Sequence, residues 1–215
     1  MGAIALTDHG NMYGVKEFLD TAKKFPEIKP IVGCEVYVSI YDHKIKDKEH
    51  RGYYHLNLLA KNIEGYKNLM KITSIGNIEG QYYGKPRVSH DVIEKYSDGL
   101  ICCSACLAGE ISRKIIAGNI QGAKEAILWH KKVFKDDYYL EVMLHKSEIP
   151  GLAPTVYEHQ LIVNEKIFEL SRELGVKVVA TNDVHFVRKE DGPAHDRLIC
   201  LTTNALIDDT DRLRY

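Results

Sequence analysis

Side chains that bind metals and move protons sit in short polar segments, each directly after an apolar run. Ile4-Ala5-Leu6 runs into Asp8-His9, and Ile31-Val32 into Gly33-Cys34-Glu35. Leu100 to Cys103 is followed by Ser104-Ala105-Cys106. Tyr138 to Leu144 ends at His145, and Val178 to Ala180 leads into Thr181-Asn182-Asp183-Val184-His185. His, Cys, Asp and Glu are the donors that hold Zn²⁺, Mn²⁺ or Fe. Asp183 and His185 lie two apart, so in extended chain they face one side and can serve one cluster. Asp8 and His9 are adjacent, so only one points into a given site from a regular strand. His9 is expected as the ligand and Asp8 as the group that orients it. Glu35 lies between Cys34 and Val36 in an apolar run, where an unpaired charge is costly to bury. It needs a partner or a metal. Taken alone, Cys106 reads as a small core residue and His55 as a structural strand residue. His145 is expected to support the ligands. His43, His50, His90, His130 and His159 sit in charged loops or on helices and read as surface groups, and His195 as structural.

The elements that must position these residues alternate between strand and helix. Apolar runs at Ile4 to Leu6, Ile31 to Val38, His55 to Ala60, Leu100 to Cys103, Tyr138 to Leu144 and Val176 to Ala180 read as six strands. Helical spacing predicts helices over Tyr13 to Lys24, Ile63 to Ile75, Gly109 to Ala117 and Ile120 to Phe134. A short helix is expected from an N-cap at Ser89, a long one from Pro154 to near Gly175, and a last one near His195 to Thr202. Tyr41 to Gly52 and Gly76 to Pro86 read as loops. Val- and Ile-rich runs alternating with helices imply parallel strands joined by crossovers, in a doubly wound sheet or a barrel. In either, ligand sites form at the carboxyl ends of strands. The residues named above would then converge on one cup.

Composition narrows the class. The 215 residues are 45% hydrophobic and 27% charged, an ordinary globular mixture. Lys plus Arg is 29 and Asp plus Glu is 30, so the chain lacks the basic excess of a protein that grips DNA phosphates. No apolar run is long enough to span a membrane, and no signal peptide is visible. Five cysteines, three of them within Cys102–Cys106, favour reduced thiols in the cytoplasm over a disulfide framework.

The segments ALTDHGNMYG, KPIVGCEVYV, HLNLLAKNIEGYKNLMKI and VVATNDVHFV together resemble the PHP (polymerase and histidinol phosphatase) domain. The likeness covers essentially the whole chain. LLAKN-x-x-GY-x-NL (Leu58 to Leu69) and VVATNDVHF (Val178 to Phe186) favour the branch at the N-terminus of the bacterial DNA polymerase III alpha subunit over standalone phosphatases.

The resemblance implies a TIM-like, distorted (β/α)₇ barrel with a metal cluster at the strand C-termini. Residue by residue, it assigns His9, Glu35, His55, Cys106, Asp183 and His185 as metal ligands, with Glu35 bridging two ions. A complete family site holds up to three ions, and the Cys among imidazoles favours Zn²⁺, with Mn²⁺ as the other candidate. The implied reaction is metal-assisted phosphoester hydrolysis, seen in the family as 3′–5′ exonuclease or phosphoesterase activity; some members keep the domain only as scaffold. The parent polypeptide would be a DNA-directed DNA polymerase with Mg²⁺ in a palm domain beyond Tyr215, so no residue here carries polymerisation. Its implied partners are a proofreading exonuclease subunit, other replicase subunits and DNA, with no membrane. The family's first motif, His-x-His, is missing, and the first strand is expected ahead of Met1. The domain is expected over 1–207, and the polar end 208–215 reads as the start of a linker. Two other functions fit the resemblance: a standalone phosphoesterase of the histidinol-phosphatase type, and a non-catalytic scaffold that steadies the polymerase and docks its proofreading subunit.

Overall fold

The computed structural model describes residues 1–146, 155–209 and 212. The chain divides into a first unit, Met1–Thr181, and a second, Asn182–Tyr215. Eight strands are described, all in the first unit: β1 (Ala3–Leu6), β2 (Lys29–Ser39), β3 (Tyr53–Ala60), β4 (Gln81–Tyr82), β5 (Lys85–Val88), β6 (Leu100–Cys103), β7 (Tyr138–Val142) and β8 (Lys177–Ala180). Its helices are α1 (Val15–Ala22), α2 (Ile63–Ile78), α3 (His90–Lys95), α4 (Glu110–Ile116), α5 (Ile120–Phe134) and α6 (Thr155–Leu174). The second unit holds α7 (Gly192–Thr203).

Strand β2 is the hub. Its sequence, KPIVGCEVYVS, is dense in the branched and aromatic residues that suit a pleated, buried surface. One edge is taken by β3, antiparallel from Gly33↔Leu59 to Ser39↔Tyr53. The other edge carries β1 in parallel from Ala3↔Lys29 to Leu6↔Val32, then a His9↔Glu35 bridge, then parallel β5 at Tyr37↔Arg87 and Val38↔Val88. Beyond β3 come antiparallel β6, then parallel β7 and β8. The sheet is therefore mixed, which corrects the all-parallel expectation. Residues 40–52 form a direct return with no helix in it, and such a return gives antiparallel neighbours, whereas parallel neighbours need a crossover. Among the described residues the pairings trace an open path from β4 to β8, with β1 on β2.

Leu58, Leu69, Ile72, Ile93, Leu100, Cys102, Ile127, Leu140 and Ile167 fill the core between the sheet and its helices. Helix α2 turns Gly65, Asn68, Leu69, Ile72 and Gly76 inward, while Met70 is exposed. Its first turn is capped by Asn62, whose side chain accepts the Gly65 N–H at 3.0 Å. A Cβ at Gly65 would stand 1.8 Å from the Gly99 carbonyl oxygen, so helix and turn meet backbone to backbone. Gly65→Ala is expected to cost about 3 kcal/mol, since neither backbone can yield cheaply. Urea unfolding checks this, and a loss under about 1 kcal/mol would show that the crossing relaxes.

The expected loop at 76–86 is instead the end of α2 followed by a β4–β5 hairpin. Its two turn residues, Tyr83 (φ 48°) and Gly84 (φ 73°), both have positive φ, the conformation that a tight hairpin turn demands. The charged 41–52 segment is partly tied down. Arg87, fully buried on β5, donates to the carbonyls of His50 and Ile45, each at 2.8 Å. In the second unit, Arg212 pairs both terminal nitrogens with Asp196 of α7, at 2.5 and 2.6 Å. The rest of the expected linker, apart from Asp208 and Asp209, lies outside the described residues.

Candidate metal centre

Alternation along β2 and β3 puts Glu35, Tyr37, His55 and Asn57 on one sheet face, since Glu35 opposes Asn57 and Tyr37 opposes His55. His9 reaches the same place because β1 continues as the bridge to Glu35, held by the Gly10 N–H on the Glu35 carbonyl and the Glu35 N–H on the Asp8 carbonyl. Cys106 lies in the loop after β6. The cup is thus built differently from expectation. Glu35 is inside β2 rather than at its end, and His55 is near the start of β3. Because β3 runs antiparallel, its start lies at the end of the sheet where the parallel strands finish.

Nδ1 of His9 and Nδ1 of His55 each lie 2.8 Å from the same oxygen, Oε1 of Glu35. Cys106 Sγ is 3.7 Å from His55 Nδ1. Glu35, His55 and Cys106 each offer a donor atom within 4.8 Å of the others. The Glu35 side chain is 4% exposed, against 17% for His55 and 47% for His9. Burial pushes the Glu35 carboxyl up, but the His55 and His9 imidazoles pull it down further, to about 2. The carboxylate is therefore charged at neutral pH. Its Oε1 is buried and has no well-formed hydrogen bond, although two ring nitrogens stand at contact distance. Two ring nitrogens that meet one carboxylate oxygen bring three potential metal donors to one point. Two imidazoles, a carboxylate and a thiol form a donor set that fits Zn²⁺.

The Cys106 loop is held by a carboxylate that inspection of the sequence overlooked. Glu141, on β7 and 4% exposed, accepts the Ala105 N–H at 2.5 Å, the Thr181 hydroxyl at 2.8 Å and the Asn57 amide at 3.1 Å. The Glu141 N–H is in turn accepted by the Ser104 hydroxyl at 2.8 Å. Ala105 has φ 64°, a conformation that an L-residue keeps only when its surroundings enforce it. In the sequence YYLEV, Glu141 looks like an outward strand charge, and only its burial reveals it.

The remaining expected residues are placed as follows. Asp8 Oδ2 accepts the Gly14 N–H at 3.2 Å, at the start of α1. His145 is fastened by Gln160, whose Oε1 accepts its N–H at 2.6 Å and whose Nε2 contacts Nδ1 at 2.9 Å. Asp183 and His185 belong to the second unit. Asp183 has φ 48°, so the segment is not extended, and the argument that both side chains face one side does not hold. His185 Nδ1 lies 2.7 Å from the Asp183 carbonyl. None of the five cysteines forms a disulfide.

A family profile, described as the PHP domain, matches residues 1–145. The chain belongs to the PHP family. The matched span holds His9, Glu35, His55 and Cys106. The curated relatives include the DNA polymerase III subunit alpha of Borreliella burgdorferi, 48% identical over all of this chain and 18% of that protein. The same subunit of Campylobacter jejuni is 42% identical over 99% of this chain and 18% of that protein. That of Deinococcus radiodurans is 36% identical over 99% and 15%. This PHP chain thus spans under a fifth of the length of those relatives.

Two histidines read as surface groups are in fact buried. His43 packs its Nδ1 2.6 Å from the Ser89 hydroxyl. His130, on the inner face of α5, has its pKa lowered from 6.5 to about 4 by burial. Glu110, near it, is pushed up by burial but held at about 2 by His90 and Lys114. These shifts contribute to the acid limb of stability in the metal-free PHP chain. The folded chain binds fewer protons at His130 than the unfolded chain does below pH 6.5. That contribution is complete above pH 6.5 and is lost as pH falls through about 4. Glu35 and Glu110 contribute above 4.5 and lose their share as pH falls through about 2. The Glu110 charge raises the His130 pKa and the His90 and Lys114 charges lower it, each by less than burial does. His130→Gln is expected to flatten urea-measured stability between pH 6.5 and 4. An unchanged slope there would assign the titration to another group.

Proposed function

We propose that this chain is the PHP portion of a bacterial DNA polymerase III alpha subunit and that its Glu35 centre is a metal-dependent phosphoesterase site of the 3′–5′ exonuclease type. The observation that carries the reading is the convergence of His9 and His55 on the buried Glu35 oxygen with Cys106 beside them. It occurs in a chain whose polymerase-subunit relatives match along its length. On this reading the sheet is most of a distorted (β/α)₇ barrel spanning 1–207, and Asp183 and His185 are metal ligands by the family resemblance. The parent protein is a cytoplasmic DNA-directed DNA polymerase, using Mg²⁺ in a domain that this chain does not contain. Its partners are DNA, a proofreading exonuclease subunit and the other replicase subunits. No described helix is long and apolar enough to cross a membrane.

Zn²⁺ or Mn²⁺ held here would supply Lewis acidity to a phosphoryl oxygen and acidify water. The chain's own residues do the rest. Glu35 is the fixed negative charge that concentrates cations, and His9 and His55 present ring nitrogens on either side of it. Glu141 and Asn57 keep Cys106 against His55. His9 is the most open of the four, so substrate enters over it, along a wall formed by the stacked Tyr37 and Tyr53–His55 rings.

The test uses the polypeptide at its native length. With Mn²⁺ or Zn²⁺ it is expected to release nucleotides from the 3′ end of single-stranded DNA, and Glu35→Ala is expected to abolish that release while polymerisation persists. Hydrolysis that survives Glu35→Ala would sink the reading. Cleavage of histidinol phosphate but not DNA would favour the standalone-phosphatase class. A chelator-induced fall in melting temperature with no hydrolysis of either substrate would make the centre structural.

A further inference from the structure

A second set of donors converges that shares no residue with the Glu35 centre. His90 opens α3, Glu110 opens α4, and His130 lies on α5. One donor atom from each falls within 4.8 Å of the other two. His90 Nε2 is 3.2 Å from Glu110 Oε2. The Glu110 side chain is 13% exposed, and His130 is 2% exposed. The tautomer of His130 follows from its partner. Its Nδ1 lies 2.8 Å from the Ala126 carbonyl, which can only accept, so Nδ1 carries the proton and Nε2 is left with a lone pair. Metal-bound imidazoles are commonly oriented in this way, by a carbonyl on the other nitrogen.

An independent observation marks the same spot. The Tyr138 ring stacks on His130 with centroids 5.1 Å apart and planes at 14°. Its hydroxyl is buried and has no hydrogen-bond partner, and the Glu110 charge acts on it. A buried phenol left without a partner is unusual and points to an occupant beside it. Two imidazoles and a carboxylate on separate helices match the three-ligand zinc arrangement, in which a water takes the fourth position.

We propose that His90, Glu110 and His130 form a second divalent-metal site, with a water ligand facing Tyr138 and donors distinct from those of the Glu35 centre. It would pin α3, α4 and α5 together. Since α4 begins four residues after Cys106, it would also brace the segment leaving the Cys106 loop. Lys114, whose ammonium is 3.0 Å from Glu110 Oε1, occupies the other carboxylate oxygen and competes with the ion for charge.

Equilibrium dialysis of the native-length polypeptide against Zn²⁺ tests the site. His90→Ala, at the most open of the three ligands, is expected to bind one equivalent fewer than the parent. The equivalents lost in Glu35→Ala are expected to be separate from this one. Lys114→Met is expected to bind that equivalent several-fold more tightly, because it removes the competing ammonium. A full zinc complement in His90→Ala with unchanged affinity in Lys114→Met overturns the proposal. If circular dichroism shows that His90→Ala does not fold, Lys114→Met decides alone: tighter binding supports the site and unchanged binding overturns it. A purely structural hydrogen-bond cluster would leave zinc binding unmoved in both.

Discussion

Replacing Glu141 with alanine is expected to destabilise the first unit by about 4 kcal/mol and to free the Cys106 loop. The substitution leaves three donors without an acceptor: the Ala105 N–H, the Thr181 hydroxyl and the Asn57 amide. A buried donor stripped of its partner costs about 1–3 kcal/mol, and hydrogen bonds to a charged acceptor stand at the upper end of the usual range. The cost also falls on a strained point, because Ala105 at φ 64° has no reason to keep that conformation once its N–H is unheld. Two measurements separate the effects. Urea unfolding reads the stability, and the rate at which a thiol reagent labels Cys106 reads the loop. Cys106 is half-buried while the other four thiols are buried, so its labelling can be followed by itself. Glu141→Gln keeps the shape and two of the acceptor contacts, and is expected to lose about half as much. A Glu141→Ala chain within about 1 kcal/mol of the parent, with unchanged labelling, would show that the loop is held by packing alone.

Glu35→Gln is expected to weaken metal binding at the main centre by about 100-fold or more. Removing groups that merely support a ligand costs about 10- to 100-fold, and Glu35 is proposed as a ligand itself. The substitution is nearly isosteric, so the fold is expected to persist. The amide has no charge with which to draw cations, and its NH₂ would face the ring nitrogens of His9 and His55. Isothermal titration with Zn²⁺ reads the change. Unaltered affinity would mean that the nitrogens gather around Glu35 for structural reasons and that the centre holds no ion. His9→Ala is a graded control, since His9 is the most exposed of the four and its loss is expected to cost less.

Periodicity and turn chemistry carried much of the architecture. Leu100–Cys103 and Ile120–Phe134 are legible in the sequence to the residue, because an apolar run between Gly99 and Ser104 and a helix between Asn119 and Lys135 have sharp edges. Gly175, at φ 62°, ends α6 as expected of a glycine there. Strand direction was not legible, since an apolar run reads the same in both senses and only its pairing separates them. The β4–β5 hairpin was hidden because two-residue strands show no period. Among the candidate ligands, Glu35 stood out because a lone carboxylate in an apolar run is anomalous. Glu141 and His130 did not, since one acidic residue in YYLEV and one histidine before Lys131-Lys132 are what solvent-facing positions look like. Burial created by distant segments turns them inward, and no local pattern encodes that.

The pairing of β2 also sets an order of assembly. Its antiparallel partner β3 follows after a return of thirteen residues, 40–52, so that hairpin closes the shortest loop in the sheet's centre. The parallel additions of β1 and β5, and the arrival of β6 and β7, close longer loops and come later. Glu35 and His55 sit on that first hairpin, whereas His9 and Cys106 ride on elements added afterwards. An ion captured by the early pair would act as a folding ligand, drawing the last two donors in and speeding the docking of β1 and of the Cys106 loop. Refolding in the presence of Zn²⁺ should then be faster in exactly the step that protects the amides of Gly10 and Ala105 from exchange.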